Sequence, residues 1–148
     1  MTTPQSGDRQ VATALVDRWL DAFNSYDATA FAACYTEDAV LEDAALKRFF
    51  RGRTELAEFI TVWVQACPDT YLKLEKVVIG DGGAAVAWTG VGTLSGTFPH
   101  LPPTAVRGSR IEQRGLSLME FSETGLIKAQ TDYWDSFTVL RQIGVIPE

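Results

Sequence analysis

The sequence predicts an α+β fold in which a curved antiparallel sheet wraps around N-terminal helices and a short C-terminal helix closes the chain. In the first half, apolar residues mostly recur every three or four positions, which is the spacing of one face of an α-helix. The second half carries stretches rich in Val, Leu and Ile that turn residues separate, as in successive strands. Helices followed by antiparallel strands are typical of α+β proteins. We expect a largely apolar cavity between the sheet and the helices, where a ligand can bind.

The first two helices are predicted from an apolar stripe and from capping residues. The first helix spans Arg9 to Ser25, with Asp8 as its predicted N-cap. A second, short helix spans about Ala28 to Tyr35 and follows the candidate cap Asp27. The stripe of the first helix comprises Val11, Ala12, Leu15, Trp19, Leu20 and Phe23.

A brief strand and a third helix follow. The strand is predicted over Ala39 to Asp43, and the helix over Arg53 to Ala66. The helix ends before Pro68, because proline cannot continue a helix. Its apolar face consists of Leu56, Phe59, Ile60, Trp63 and Val64.

The second half predicts four strands and a closing helix. The strands are Tyr71–Gly80, Ala84–Gly96, Val106–Phe121 and Leu126–Trp134, and the turn Asp81-Gly82-Gly83 joins the first two as a hairpin. Thr97–Thr104 is predicted as a loop, because its prolines lack the N–H group that a central strand needs. The closing helix covers Ser136–Ile143, with Asp135 as its N-cap and Gly144 just beyond its end.

Length and composition limit the classes of function. The chain has 148 residues and a formal charge of −6, which favours one domain, expected over residues 9–147 with a flexible N-terminus at 1–8. The acidic balance disfavours binding to nucleic acid. We expect a cytoplasmic protein without a membrane span, because no apolar run approaches the ~18 residues of such a span and no signal-peptide pattern is present. One His and two isolated Cys disfavour a zinc site, so no metal is expected.

Two aspartates are the candidate catalytic residues. Asp43 and Asp132 lie at or near the ends of predicted strands, although aspartate is disfavoured in strands. Alternation places Asp132 on one side with Gln130 and Trp134. Burial in an apolar cavity would raise the pKa of both carboxyl groups towards the range of acid/base catalysis. Alternatively, Asp132 only ends a strand and Asp43 only caps a turn, as Asp135 caps the last helix.

Two glycines share one strand face with Trp88. Gly90 and Gly92 indicate close approach by a ligand or by another backbone, or else a bulge where the sheet bends. His100, in the proline-rich loop, is a candidate proton carrier at the cavity mouth or a solvated loop residue. The aromatic residues that could line the cavity, or only fill the core, are Trp19, Phe23, Phe59, Trp63 and Trp88.

The end of the chain resembles a known family. Gly125-Leu126-Ile127-Lys128, Thr131-Asp132-Tyr133-Trp134-Asp135 and Leu140-Arg141-Gln142-Ile143-Gly144 resemble the C-terminal signature of SnoaL-like polyketide cyclases. The segment from Gly96 to Thr104 resembles a proline-rich loop of the same cyclases. This family belongs to the nuclear transport factor 2-like superfamily, which also includes ketosteroid isomerases and limonene epoxide hydrolases. The resemblance runs from about Val11 to Pro147 and implies a cone-shaped α+β fold.

The resemblance implies counterparts for some of the catalytic residues of these enzymes but not for others. Asp132 falls where the cyclases and the epoxide hydrolases keep an acid/base aspartate, and Asp43 falls on the proton-transferring aspartate of the isomerases. The cyclases' catalytic histidine corresponds to Ser117. The arginine and aspartate of the hydrolases correspond to Gly90 and Gly92, which argues against their route of epoxide opening. The isomerases' oxyanion-binding tyrosine and acid correspond to Trp19 and Ser117.

The resemblance implies an enzyme that needs no cofactor and acts on a carbonyl-bearing, polyketide-like or polycyclic substrate. In an aldol-type cyclisation, Asp132 would move the proton, Trp19, Gln130 or Ser117 would hydrogen-bond the enolate, and Gly90 and Gly92 would make room for fused rings. The alternatives are an isomerase, a dehydratase or an epoxide hydrolase in the same pocket, and a non-catalytic binder of a small apolar ligand. The resemblance also implies a homodimer formed through the outer face of the sheet.

Overall fold

A computed structural model of the chain describes residues 6–99 and 101–147. In this part, the helices are α1 (Ser6–Asn24), α2 (Ala28–Ala33), α3 (Gly52–Ala66) and α4 (Ser136–Gln142). The strands are β1 (Tyr35–Asp43), β2 (Arg48–Arg51), β3 (Tyr71–Gly80), β4 (Gly83–Thr93), β5 (Arg110–Phe121) and β6 (Ile127–Trp134). The predicted α+β class is therefore confirmed.

Capping residues set the bounds of the short helices. The Asp27 carboxylate accepts a hydrogen bond of 2.9 Å from the Ala30 N–H at the start of α2. Asp135 caps α4 in the same way, through the Thr138 N–H at 3.0 Å. Asp8 does not cap α1, because that helix already begins at Ser6 and Asp8 lies in its first turn. The acidic side chain still interacts favourably there with the positive end of the helix dipole.

The six strands form one open sheet in the order β2-β1-β6-β5-β4-β3. The predicted antiparallel pairing is confirmed for four of the five strand pairs. The fifth pair, β1 with β6, is parallel. These strands lie near opposite ends of the chain, so no tight turn forces them to run in opposite directions.

β2 has no predicted counterpart, and β4 and β5 are shorter than predicted. β2 has only four residues, too few for a pattern to show. β4 ends at Thr93 and β5 begins at Arg110, because the chain between them leaves the sheet to contact the end of α3. There, the Gly96 N–H donates to the Ala66 carbonyl at 3.0 Å, and a Cβ on Gly96 would overlap the Gln65 carbonyl.

The helices cover one face of the sheet. α1 packs against β3, and α3 packs against β1. Among the largest fully buried side chains of this core are Leu15, Trp19, Phe31, Tyr35, Leu41 and Leu56. A second buried cluster under α4 comprises Ala66, Cys67, Leu94 and Ile143. None of the helices in the described ranges combines the length and the hydrophobicity that a membrane crossing requires.

Candidate active site

The structure places Asp43 and Asp132 side by side, at the same level of β1 and β6. The parallel register pairs Asp43 with Asp132, and both side chains line one cavity between the sheet and the helices. Asp43 is 1% exposed and Asp132 is 5% exposed. The two carboxyl groups are therefore close neighbours in an apolar enclosure.

Asp132 accepts two hydrogen bonds, both at Oδ1. The Ser117 hydroxyl donates to it at 2.6 Å and the Gln130 amide donates at 2.8 Å. Each donor is itself held by another buried side chain. The Trp88 indole donates to Ser117 Oγ at 2.9 Å, and the Tyr35 hydroxyl donates to Gln130 Oε1 at 2.6 Å.

The indole groups of Trp19 and Trp88 determine which atom donates in each of these hydrogen bonds. The Trp19 indole donates to the Tyr35 oxygen at 3.0 Å, and an indole N–H can only donate. Burial raises the pKa of the Tyr35 hydroxyl well above its usual value, so this group keeps its proton. The hydroxyl therefore donates a hydrogen bond to Gln130 Oε1. The amide nitrogen of Gln130 therefore faces Asp132. These hydrogen bonds form a network with two branches, one from Trp88 through Ser117 and one from Trp19 through Tyr35 and Gln130. Both branches donate to Asp132 Oδ1.

The second oxygen of Asp132 is the one available for chemistry. Both hydrogen bonds use Oδ1, and no fully buried side-chain oxygen among the described residues lacks a hydrogen-bond partner, so Oδ2 is accessible from the cavity that Asp132 lines. Burial raises the pKa of the Asp132 carboxyl to about 6, although the bonds from Ser117 and Gln130 act in the opposite direction. A carboxyl group with such a pKa exchanges a proton readily near neutral pH.

Asp43 is held differently. Its Oδ1 accepts from the Trp134 indole at 2.9 Å and from the Leu46 N–H at 3.0 Å. Burial raises the pKa of this carboxyl as well, while its hydrogen bonds and the charge of Arg48 lower it in part. Two neighbouring carboxyl groups in different surroundings can hold different protonation states.

Gly115 shapes the Trp88 branch of the network. Gly115 on β5 lies directly opposite Trp88 on β4, and a Cβ on Gly115 would overlap the indole ring. The missing side chain lets the indole lie over β5, where its N–H reaches Ser117. Unlike Gly90 and Gly92, Gly115 was not predicted as a site residue, because its role depends on the pairing of two strands.

The aromatic residues predicted for the lining all border the cavity: Trp19, Phe23, Phe59, Trp63 and Trp88. Gly90 and Ser117 border it too. The lining residues that the sequence analysis missed are Thr70, Leu72, Gln113 and Trp134. The cavity volume is about 30 Å³, which holds about one or two water molecules. The room for fused rings expected from Gly90 and Gly92 stays a prediction.

Two predicted site residues that the structure describes do not line this cavity. Gly92 is outside the cavity, because a Cβ there would lie 3.0 Å from the Cβ of Cys67. Gln130 lies behind Asp132 and contacts its carboxylate rather than the cavity. His100 lies outside the described residues. Within 6–99 and 101–147, no three His, Cys, Asp or Glu side chains converge as a metal site would require.

Comparisons with known proteins agree with this architecture. The family model described as SnoaL-like domain matches residues 16–130. A structure from Jannaschia sp. CCS1, assigned provisionally to the SnoaL-like polyketide cyclases, is 17% identical with a TM-score of 0.82, covering 99% of this chain and 100% of that one. A phenazine biosynthesis-related protein from Pseudomonas aeruginosa is 20% identical with a TM-score of 0.78, covering 100% and 91%.

A third solved structure is SalBIII, an epoxide hydrolase/cyclase-like enzyme of pyran ring formation in the polyether salinomycin. It is 22% identical with a TM-score of 0.71, and the match covers 94% of this chain and 98% of that one. At these identities the likeness shows the fold alone. Comparison with curated proteins finds none that matches the sequence.

Proposed function

The chain belongs to the SnoaL-like domain family of the nuclear transport factor 2-like superfamily, and on this basis we propose that it is a small-molecule enzyme that uses aspartate acid/base chemistry. The proposed substrate is a carbonyl-bearing, polyketide-like or polycyclic molecule, and the proposed reaction is an aldol-type cyclisation without a cofactor. The observation that carries the proposal is the Asp132 carboxyl group, fixed at one oxygen, open at the other and with a pKa of about 6.

In the proposed reaction, Asp132 Oδ2 removes a proton from the carbon next to a carbonyl group. The resulting enolate carbon attacks a second carbonyl of the same molecule, so that a C–C bond forms and an alkoxide results. The proton then passes from Asp132 to the alkoxide oxygen. General acid/base catalysis of this kind contributes roughly 10²–10⁴-fold to the rate.

The donors for the enolate differ from those expected from the sequence. Trp19, Gln130 and Ser117 direct their donors along the network towards Asp132, so they position the base. We assign the enolate donor to Asp43, which lines the same cavity as Asp132 and would donate in its protonated form; burial raises the pKa of its carboxyl group. Its hydrogen bonds from Trp134 and Leu46 fix the orientation of the carboxyl group.

The variant Asp132→Asn tests this function. The probe is 2-tetralone, a fused-ring ketone, whose exchange of α-hydrogen for deuterium in D2O is followed by NMR. We expect the wild-type protein to accelerate exchange with a rate that rises through about pH 6, and the variant to lose roughly 10²–10⁴-fold while still binding the ketone. Asp135→Asn is the control, because it changes a nearby exposed carboxylate and keeps the helix cap.

Two results would contradict the proposal. Equal exchange by wild type and by Asp132→Asn would remove Asp132 from the mechanism. Binding of the ketone without exchange in either protein would favour a non-catalytic binder.

Isomerisation is distinguished with a β,γ-unsaturated ketone, because its conversion to the conjugated isomer changes the ultraviolet absorbance.

A second candidate reaction is hydrolysis, which the cavity volume favours. A space of about 30 Å³ that both carboxyl groups line suits a water molecule that one carboxylate deprotonates while the other carboxyl protonates the leaving oxygen. Styrene oxide in ¹⁸O-labelled water tests this candidate. A diol that carries the label would favour hydrolysis, and unreacted epoxide would argue against it.

We also propose a homodimer formed through the outer face of the sheet. This face carries exposed apolar side chains on neighbouring strands: Val78, Leu116, Leu118 and Tyr133. Contiguous exposed apolar surface of this kind marks protein interfaces.

A further inference from the structure

A second, larger cavity lies beside the aspartate cavity, and we name it the outer chamber. Its volume is about 600 Å³, and it lies under α4, between the end of α3, β2 and the segment that follows β4. Most of its lining is apolar, including Leu94, Phe98, Leu101 and Leu140. A volume of 300–1,000 Å³ is typical of ligand pockets. The outer chamber can therefore hold the body of a small organic molecule that the inner cavity cannot.

The outer chamber and the aspartate cavity share two indole rings at their border. Trp63 and Trp134 border both spaces, and their ring centres lie 5.9 Å apart in an edge-to-face arrangement. Trp134 also donates to Asp43, so one of the two rings contacts a candidate catalytic carboxyl group. A molecule seated in the outer chamber therefore has its nearest end next to these rings and close to the aspartates.

Among the described residues that line the outer chamber, Arg48 supplies the one charged side chain. Cys67 stays a neutral thiol at pH 7, because burial raises its pKa to about 11. The Arg48 guanidinium lies over the Phe50 ring, 4.9 Å from its centre, and it forms no ion pair with any residue in the described ranges. Although the register pairs Arg48 with Asp43, their charged groups are not within ion-pair distance.

We propose that the outer chamber binds the apolar body of the substrate and that Arg48 pairs with an anionic group, such as a carboxylate, on that body. A guanidinium binds carboxylates with two parallel hydrogen bonds, and an apolar surrounding strengthens such a pair. This inference rests on the proposed function, because the bound molecule is the substrate of the Asp132 reaction. It adds a substrate class, namely an apolar molecule with one negative charge.

Two dyes of nearly the same shape test the inference: 8-anilinonaphthalene-1-sulfonate, which is an anion, and the neutral N-phenyl-1-naphthylamine. Their affinities are measured by fluorescence titration of the folded full chain. We expect the anionic dye to bind wild type about tenfold more tightly than the neutral one. Arg48→Gln should remove this preference by weakening only the anionic dye about tenfold, and Arg48→Lys should restore part of it.

Arg51→Gln is the matched control. Arg51 lies on the same strand and stacks on Phe49 at 5.1 Å, but it is exposed and outside the outer chamber. We expect this variant to leave both affinities unchanged, although it removes the same charge. Leu140→Trp, which fills the outer chamber, should weaken both dyes, and circular dichroism checks the fold of each variant.

Several outcomes would overturn the inference. These are equal affinities of wild type for the two dyes, the same loss with Arg51→Gln as with Arg48→Gln, or unchanged dye binding in Leu140→Trp. The dyes are not turned over, so their affinities report on binding alone. If the dye results hold but Asp132→Asn keeps its exchange activity, the proposed chemistry fails and the binding site stands. If the dye results fail but that variant is inactive, the chemistry stands and the outer chamber is not the binding site.

Discussion

At the scale of the residue, the Asp132 carboxyl group couples activity to stability. Its pKa is about 6 in the folded protein, against about 3.9 in an unfolded chain, so the folded state binds this proton more tightly. The corresponding stabilisation is complete below about pH 4 and is lost as the pH rises through 6. At pH 8 the folded protein therefore carries a buried charge that costs about 3 kcal/mol.

Asp132→Asn should remove this dependence. The amide oxygen can still accept from Ser117 and Gln130 while no charge is buried, so we expect the variant to gain about 3 kcal/mol over wild type between pH 4 and pH 8. Urea unfolding at both pH values measures the difference. Asp135→Asn should show no such gain, because the hydrogen bonds from Thr138 lower the pKa of Asp135. A difference between wild type and Asp132→Asn that does not vary with pH would contradict the pKa of about 6.

Sequence reasoning at this scale reached the two aspartates but not their partners. Strand alternation is local, so it placed Asp132 on one side with Gln130 and Trp134. The bond from Trp134 to Asp43 joins residues 91 positions apart and depends on the parallel register of β1 and β6, which no local pattern encodes. Tyr35 was assigned to the end of a helix, whereas it begins β1 and supports Gln130.

At the scale of the element, the pair β4–β5 positions the network through Gly115. Gly115→Ala would push the Trp88 indole away and break its bond to Ser117. We expect a loss of about 1–3 kcal/mol in the free energy of unfolding, measured with urea. Gly80→Ala is the control, because nothing lies within 4 Å of a Cβ at that strand position. If both substitutions changed the free energy of unfolding equally, Trp88 would have moved without loss of stability, which would contradict this prediction.

Elements with strong local signals were predicted well. β3 has the predicted bounds, and α3 begins one residue early and ends as predicted. The ends of β4 and β5 were predicted poorly, because the contact of Gly96 with the end of α3 decides where the chain leaves the sheet. Such a contact depends on the tertiary structure and leaves no periodic signal in the sequence.

At the scale of the whole molecule, the outer sheet face makes the oligomeric state testable. Light scattering should give twice the chain mass of 16.3 kDa for wild type. Leu118→Glu should give the mass of one chain, because it places a charge on the apolar outer face. Val11→Glu, at an equally exposed position on α1, should remain dimeric. A monomeric wild type would contradict the proposed dimer.

The two indoles at the outer ends of the network also determine where a proton can travel. A proton wire needs groups that accept a proton on one side while they release one on the other. Trp19 and Trp88 can only donate, so neither branch can carry the Asp132 proton away through the core. The network therefore does not conduct the proton, and among the described residues it leaves the cavity side of Asp132 as the route for proton transfer. A hydrogen removed from a bound molecule therefore leaves Asp132 on the cavity side, where either the bound molecule or water in the cavity takes it up.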